Sequence, residues 1–169
     1  MTLEESKAVA DCFVSALENE TKTTIKVLAA VPENKSKYRP DPRSKNALQL
    51  AAHIVVEDLW FLEGLGNGQF APMESVQSEE TAVTSIAQAI DMYNERLPLA
   101  LKKVRALSGE QLTKTLSIPG EFSAPAVEFL SIMVRHSIHH RGQLTTYLRP
   151  MDSKVPSIYG PSADDAGES

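Results

Sequence analysis

The chain has 169 residues and a mass of 18.5 kDa, the size of one domain whose core is large enough to fold without disulfides or a structural metal. Hydrophobic residues make up 42% of it and charged residues 23%, which excludes a disordered chain and a collagen-like fibre. The net charge of −5 argues against partners with a phosphate backbone or an anionic membrane surface, so neither nucleic acid nor membrane is an expected partner.

The N-terminal residues and the cysteine content indicate a cytoplasmic protein. No basic stretch followed by an apolar one opens the chain, and no apolar run approaches the length of a membrane span. The single Cys12 cannot form an intramolecular disulfide. Cys12 lies beside Phe13 on an apolar stripe, which predicts a buried side chain without a chemical role.

The first element is a long amphipathic helix over about residues 4–31, predicted from apolar residues spaced three and four apart. Pro32 ends this helix. Residues 32–44 contain three prolines among charged residues, which indicates a long loop that crosses to the next helix. Ser44 is predicted to cap that second helix.

The second helix, over about residues 45–65, is apolar on nearly every side, as expected of a helix buried at the centre of a domain. Gly64, Gly66 and Gly68 are expected to end it. A third helix is predicted from about 79 to 107, capped by Ser78 and kinked at Pro98 because the apolar pattern continues in phase on both sides.

The fourth helix is predicted to start near Ser123 and Pro125 and to run to about Leu148, before Pro150 stops it. The connector before it has some extended character around residues 116–118, but no convincing strand pair. The pattern predicts an all-α four-helix bundle as a single domain over residues 1–162, followed by a disordered tail over 163–169.

Three of the four histidines fall within five positions of the predicted fourth helix. His136 and His140 are four residues apart, a spacing that lets two imidazoles on one helix face share a metal ion. His139 is the competitor for this pairing. Periodicity favours the first pair, since it continues an inward row and His139 lies on the other side; the row comprises Met133, His136, His140, Leu144 and Tyr147.

His53 lies in the most apolar helix, where a buried imidazole needs a partner for its nitrogens. If the second and fourth helices are neighbours, His53, His136 and His140 could hold one divalent ion and leave a coordination position open. The alternative is that His53 is a hydrogen-bonded core histidine and that the histidines at 136–140 lie on the surface without a function. Spacing alone does not decide between these two interpretations.

The segments HSIHHRGQLTTYLR and VPSIYGPSAD closely resemble the DinB-like family of bacterial metal-binding proteins, over about residues 5–162. The resemblance implies an up-down-down-up four-helix bundle with a long crossing loop, and a homodimer. It also implies a divalent metal held by one histidine of LQLAAHIVVEDLWFLEGL and an HxxxH pair. Imidazole ligands favour zinc or nickel as that metal. These ligands match His53, His136 and His140.

Four further residues are candidates for orienting the ligands or binding substrate: Glu57, Asp58, Gln143 and Tyr159. Glu57 and Asp58 lie one turn beyond His53, and Gln143 lies one turn beyond His140. The alternative is that they are solvated or tie helices together, and for Tyr159 that it packs against the fold. No catalytic residue can be assigned from the sequence.

A dication among neutral imidazoles acidifies a bound water or removes the proton of a coordinated thiol. Related families include thiol-dependent S-transferases and isomerases, and others were labelled metal-dependent hydrolases. The resemblance therefore implies a metalloenzyme that activates a low-molecular-weight thiol or water against a small-molecule substrate. The alternative is a metal-binding stress-response protein without turnover.

Overall fold

The computed structural model describes residues 1–118 and 120–165. The helices in chain order are α1 (Leu3–Ala29), α2 (Ala47–Asn67), α3 (Met73–Ala82), α4 (Ile86–Arg105), α5 (Gly109–Thr113) and α6 (Ala126–Leu148). Short 3₁₀ turns follow α1 and α6, at Glu33–Lys35 and Arg149–Met151. The four long helices α1, α2, α4 and α6 form the bundle, as the sequence pattern predicts.

Each of α1 and α2 packs against both α4 and α6, so α1 and α2 lie diagonally opposite each other. Asp58 contacts Tyr93 and Glu63 contacts Arg96, which shows that α2 and α4 run in the same direction. Two further pairs of contacts fix the remaining directions: His53 with His140 and Asp58 with Ser137 between α2 and α6, and Glu20 with Arg141 and Ala30 with Ser153 between α1 and α6. The four long helices therefore follow the up-down-down-up order, and the loop 30–46 crosses the bundle.

Asn46, and not the predicted Ser44, caps α2. The Asn46 side chain accepts a hydrogen bond from the Gln49 amide at 2.8 Å, and the Gln49 side chain accepts one from the Asn46 amide at 3.0 Å. This reciprocal cap satisfies two of the free amides of the first turn. Serine and asparagine are both common helix caps, but only Asn46 has a glutamine, Gln49, three positions on.

The predicted third helix is two helices. Residues 83–85 leave helical conformation, and the Ser85 hydroxyl caps α4 by accepting a hydrogen bond from the Gln88 amide at 3.0 Å. The segment before this break, predicted as a loop up to Ser78, is α3, which packs against α2. Pro98 lies inside α4 without ending it.

Two glycines that were expected to end the second helix lie inside it. Gly64 and Gly66 remain helical, and α2 ends only at Gly68, whose φ of 72° is the left-handed conformation typical of a helix terminus. Gly64 is needed for another reason, because the ring of Phe70 occupies the space where its Cβ would lie, 2.3 Å from the nearest ring carbon.

A two-stranded antiparallel hairpin, β1 (Thr115–Ile118) with β2 (Phe122–Pro125), precedes α6 and was not predicted. Ser123, expected to cap α6, instead shares a hydrogen bond with Ser117 across the hairpin at 2.7 Å. The extended character seen near residues 116–118 was the sign of this hairpin. A pair this short adds little to the helical core, and the fold remains all-α in class.

The end of the chain continues past α6 as an irregular segment. Asp152 adopts a left-handed φ of 57° at the turn after α6, and Asp164 accepts a hydrogen bond from the Val155 amide at 2.8 Å. Residues 163–165 of the predicted disordered tail thus form a turn, and residues 166–169 lie outside the described residues. Cys12 is exposed on α1, contrary to the prediction. Among the described residues no helix combines the length and apolarity of a membrane span.

Candidate metal centre

Three imidazoles from two helices meet at the contact between α2 and α6. His53 of α2 and His136 and His140 of α6 each place a ring nitrogen within 4.8 Å of the others. Nε2 of His53 lies 3.3 Å from Nε2 of His140, and the ring centroids of His136 and His140 are 4.4 Å apart. All three side chains are partly buried at the same end of the helix contact. The α6 helix spacing and the antiparallel packing of α2 together produce this cluster.

Glu80 of α3 and Gln143 of α6 are hydrogen-bonded to the Nδ1 atoms of two of the rings. Oε1 of Glu80 accepts a hydrogen bond from Nδ1 of His53 at 2.7 Å, and Oε1 of Gln143 accepts one from Nδ1 of His140 at 3.1 Å. A proton placed on each Nδ1 leaves the lone pair on Nε2, where the two rings face each other. The outer partners therefore prepare both Nε2 atoms as ligands for a cation.

The third ring is arranged differently. Nε2 of His136 lies 3.2 Å from Oε2 of Glu57, whereas its Nδ1 is buried and has no hydrogen-bond partner among residues 1–118 and 120–165. A buried nitrogen without a partner destabilises the fold unless something else satisfies it. His136 thus has one buried ring nitrogen whose hydrogen-bonding capacity the described side chains leave unused.

Glu57 and Glu80 bring two carboxylates to the same cluster. Oε1 of Glu57 lies 3.3 Å from Nδ1 of His53, and Glu57, Glu80 and His53 form a second group whose possible ligand atoms lie within 4.8 Å of one another. Burial raises the pKa of Glu57. Burial acts in the same direction on Glu80, but the hydrogen bond and charge of His53 outweigh it, and the pKa of Glu80 is lowered.

The pKa values of the two α6 imidazoles, His136 and His140, are both lowered. Burial, followed by the neighbouring imidazoles of His140 and His53, lowers the pKa of His136 to about 3. Burial also lowers the pKa of His140, against the opposing hydrogen bond to Gln143. Neutral imidazoles are the form that binds transition metals. The donor set fits a borderline divalent ion of the zinc and nickel type.

Asp58 faces the core and not the imidazoles. Its Oδ2 accepts hydrogen bonds from the Tyr93 hydroxyl at 2.6 Å and from the Ser137 hydroxyl at 2.9 Å, which joins α2 to both α4 and α6. Burial raises the pKa of Asp58 to about 7 despite both hydrogen bonds. Since Ser137 follows His136 directly, this buried group fixes the helix registry on which the cluster depends.

The other residues named from the sequence lie at the edge of the cluster or away from it. His139 is exposed on the outer side of α6 and contacts His140 only through an edge-to-face ring pair at 4.8 Å. The Tyr159 hydroxyl lies 2.6 Å from Nη2 of the buried Arg141 and donates to Glu20 at 2.8 Å. It thereby ties the C-terminal segment to α1 and α6.

Sequence reasoning missed Glu80. It lies 27 positions from its partner His53, on a helix that the sequence pattern did not separate from the next one. A carboxylate on a helix following the apolar central helix is too common to point to a site. Only the packing of α3 against α2 identifies it.

Known proteins share this arrangement of helices. A DinB-like protein from Bacillus cereus ATCC 10987 matches with a TM-score of 0.72 and 24% identity, over 87% of this chain and 95% of that one. Bacillus subtilis YjoA is 26% identical over 142 residues, 82% of this chain and 88% of its own length. A mycothiol-dependent maleylpyruvate isomerase matches with a TM-score of 0.60 and 15% identity, over 85% of this chain and 61% of that one. The sequence profile of the DinB family matches residues 6–168. The chain therefore belongs to the DinB family.

Proposed function

We propose that the protein is a metal-dependent enzyme that activates a low-molecular-weight thiol. The thiol is either transferred to a small-molecule substrate or used to isomerise that substrate. The divalent ion, zinc or nickel, is held by His53, His136 and His140. The observation that carries the proposal is the meeting of three imidazoles from two helices, two of them oriented by Glu80 and Gln143. Three protein ligands leave a coordination position for a further group, as catalytic sites require.

When bound, the ion supplies the positive charge that lowers the pKa of a thiol and stabilises its thiolate. The side chains supply the rest. Glu57, with its pKa raised by burial and Oε2 3.2 Å from His136 Nε2, is placed to accept the proton that the thiol loses. Asp58 and Ser137 keep α2 and α6 in the registry that brings these groups together.

The fold likeness to a mycothiol-dependent isomerase supports a thiol as the co-substrate. That protein's thiol dependence is a property of a distant neighbour, at 15% identity, and enters here as part of the proposal. We also propose that the protein is a homodimer and that it is cytoplasmic. Native mass spectrometry of the purified protein tests the homodimer.

The test uses protein purified without a histidine tag, stripped of metal and reloaded with Zn²⁺ or Ni²⁺. Turnover of a haloaromatic electrophile is followed with glutathione, bacillithiol or mycothiol, and metal content is measured on the same samples. We expect turnover that requires both metal and thiol. The His136→Ala variant should lose this turnover, and the His139→Ala variant should retain it. Metal-loaded protein that shows no thiol dependence with any of these metals and thiols contradicts the proposal.

Activation of water for hydrolysis is the second candidate, and Glu57 favours it because a carboxylate beside a metal centre is a suitable base for water. The same samples separate the two: ester hydrolysis that needs the metal and no thiol supports the hydrolase. Stoichiometric metal with neither activity supports a metal-binding stress-response protein without turnover.

A further inference from the structure

A cavity of about 590 Å³ opens between the crossing loop, the start of α2, and α3. We call it the loop cavity. Its volume lies within the range of small-molecule sites, roughly 300–1,000 Å³. Glu80 forms part of its wall, and Oε1 of the same carboxylate is hydrogen-bonded to Nδ1 of His53. The loop cavity is therefore linked to the imidazole cluster through Glu80, and none of the three histidines lines it.

The walls of the loop cavity are cationic in a chain of net charge −5. Four cations line it against a single acidic side chain, Glu80; the four are Lys37, Arg39, Arg43 and Lys45. Lys45 lies 3.4 Å from Oε2 of Glu80, whose Oε1 is hydrogen-bonded to His53. A local excess of positive charge of this kind attracts an anionic ligand.

Two of these cations have no acidic partner. Arg43 pairs with Asp41 at 3.4 Å, but within residues 1–118 and 120–165 no carboxylate forms an ion pair with Lys37 or Arg39. The guanidinium of Arg39 contacts only the backbone carbonyl of Pro42, at 3.4 Å. Both side chains are exposed and free to turn toward a bound anion.

The rest of the lining indicates an organic anion. Apolar side chains of Pro42, Leu48 and Val83 share the wall with the amide groups of Gln49 and Gln77. Apolar surface contributes to binding only when the ligand has a carbon skeleton. A carboxylate on a short carbon chain satisfies both parts of the wall.

We infer that the loop cavity binds the carboxylate-bearing end of the substrate or thiol that reacts at the imidazole cluster, with Lys37 and Arg39 as its anion contacts. The part of the inference that places the reacting end of the ligand at the imidazole cluster rests on the proposed function. The anion site itself rests on the cavity and its charges. Glu80 is the shared wall, since its two oxygens contact Lys45 on the cavity side and His53 on the metal side.

The test is an NMR amide titration of metal-free protein with succinate, and with succinamide as the uncharged molecule of similar skeleton. We expect succinate to shift the amides of Gln49, Gln77 and Thr81 and to bind more weakly as salt is raised. The double variant Lys37→Gln, Arg39→Gln should bind about tenfold more weakly, as for the loss of two exposed charge contacts. The matched control is Lys22→Gln, Lys102→Gln, which removes the same charge from exposed positions outside the cavity.

Equal shifts with succinate and succinamide, or equal loss in the two double variants, would overturn the inference. Circular dichroism melting of each variant shows that the fold is retained. Metal content is measured on separate metal-loaded samples, so the two proposals fail separately. Succinate binding without stoichiometric metal removes the proposed function and leaves the anion site, whereas stoichiometric metal without succinate binding removes the anion site alone.

Discussion

Glu80 holds His53 by a 2.7 Å hydrogen bond to Nδ1, although the two residues belong to different helices. The bond fixes which nitrogen of the imidazole carries the proton. It therefore fixes which nitrogen is available to a metal. Because Glu80 lies on the short helix α3, the orientation of His53 depends on an element outside the four long helices of the bundle.

Replacing Glu80 tests this dependence. Glu80→Ala should weaken metal binding roughly 10- to 100-fold, while Glu80→Gln, which still accepts a hydrogen bond from Nδ1, should recover part of the loss. Affinity is measured by competition with a chromogenic chelator. Glu74→Ala is the control, since Glu74 is exposed on the same helix. Equal affinity for Glu80→Ala and the control would show that Glu80 has no part in orienting His53.

The ligand set is tested by alanine substitution at all four histidines. His53→Ala, His136→Ala and His140→Ala should each lose stoichiometric metal, because each removes one of the converging ring nitrogens. His139→Ala should keep it, since that ring is exposed on the outer side of α6. Elemental analysis of the untagged proteins gives the result. Retained metal in His53→Ala would exclude α2 from the centre.

Metal should also stabilise the fold. An ion bound only by the folded protein adds about 2.7 kcal/mol at a free concentration 100 times its Kd. Thermal unfolding of wild type and His139→Ala should therefore shift upward on adding Zn²⁺, and that of His53→Ala should not. A shift of the same size in His53→Ala would place the bound ion elsewhere.

Asp58 should make stability depend on pH. Burial raises its pKa from 3.8 to about 7, so the folded protein holds this proton more tightly than the unfolded chain. Its contribution to the free energy of unfolding is full below the unfolded pKa and is lost as pH rises through the folded pKa. In urea unfolding of metal-free protein, the stability of wild type relative to Asp58→Asn should fall by about 3 kcal/mol from about pH 5 to pH 8.

The control for this series is Asp91→Asn, because Asp91 is an exposed carboxylate on α4. Its stability relative to wild type should not follow the same course. A pH dependence of Asp58→Asn that matches wild type throughout the range would mean that Asp58 is already ionised in the folded protein.

Two helical glycines should respond in opposite ways to alanine. At Gly64 a Cβ meets the Phe70 ring, and Gly64→Ala should destabilise the protein by about 1–3 kcal/mol. At Gly142 nothing lies within 4 Å of the new Cβ, so Gly142→Ala should stabilise it by up to about 1 kcal/mol through helix propensity. Chemical unfolding measures both. Loss of stability at Gly142 would contradict the open space beside α6.

The bundle could be predicted from the sequence because its four long helices carry regular apolar spacing. The same spacing failed where a local hydrogen bond decides the structure. Ser85 breaks the predicted third helix by capping α4, and Asn46 caps α2 because Gln49 lies three residues on. Neighbouring polar residues compete to cap a helix, and the spacing of apolar residues does not show which of them forms the hydrogen bond.

The imidazole cluster was partly predictable for a similar reason. The four-residue spacing of His136 and His140 is visible in the sequence, and so is the apolar surrounding of His53. The role of Glu80 depends on how α3 folds back on α2, which no local pattern encodes. The resemblance to a known family identified the three histidines together but not this carboxylate.

The two halves of the imidazole cluster are far apart in the chain, since His53 and His140 are separated by 87 positions. During synthesis on a ribosome, α2 emerges long before the C-terminal half of α6. A nascent chain that ends before residue 136 holds one imidazole of the three and has no bundle to orient it. The proposed ion can therefore bind these three ligands only after the last long helix is complete, and a truncated product lacks this set of ligands.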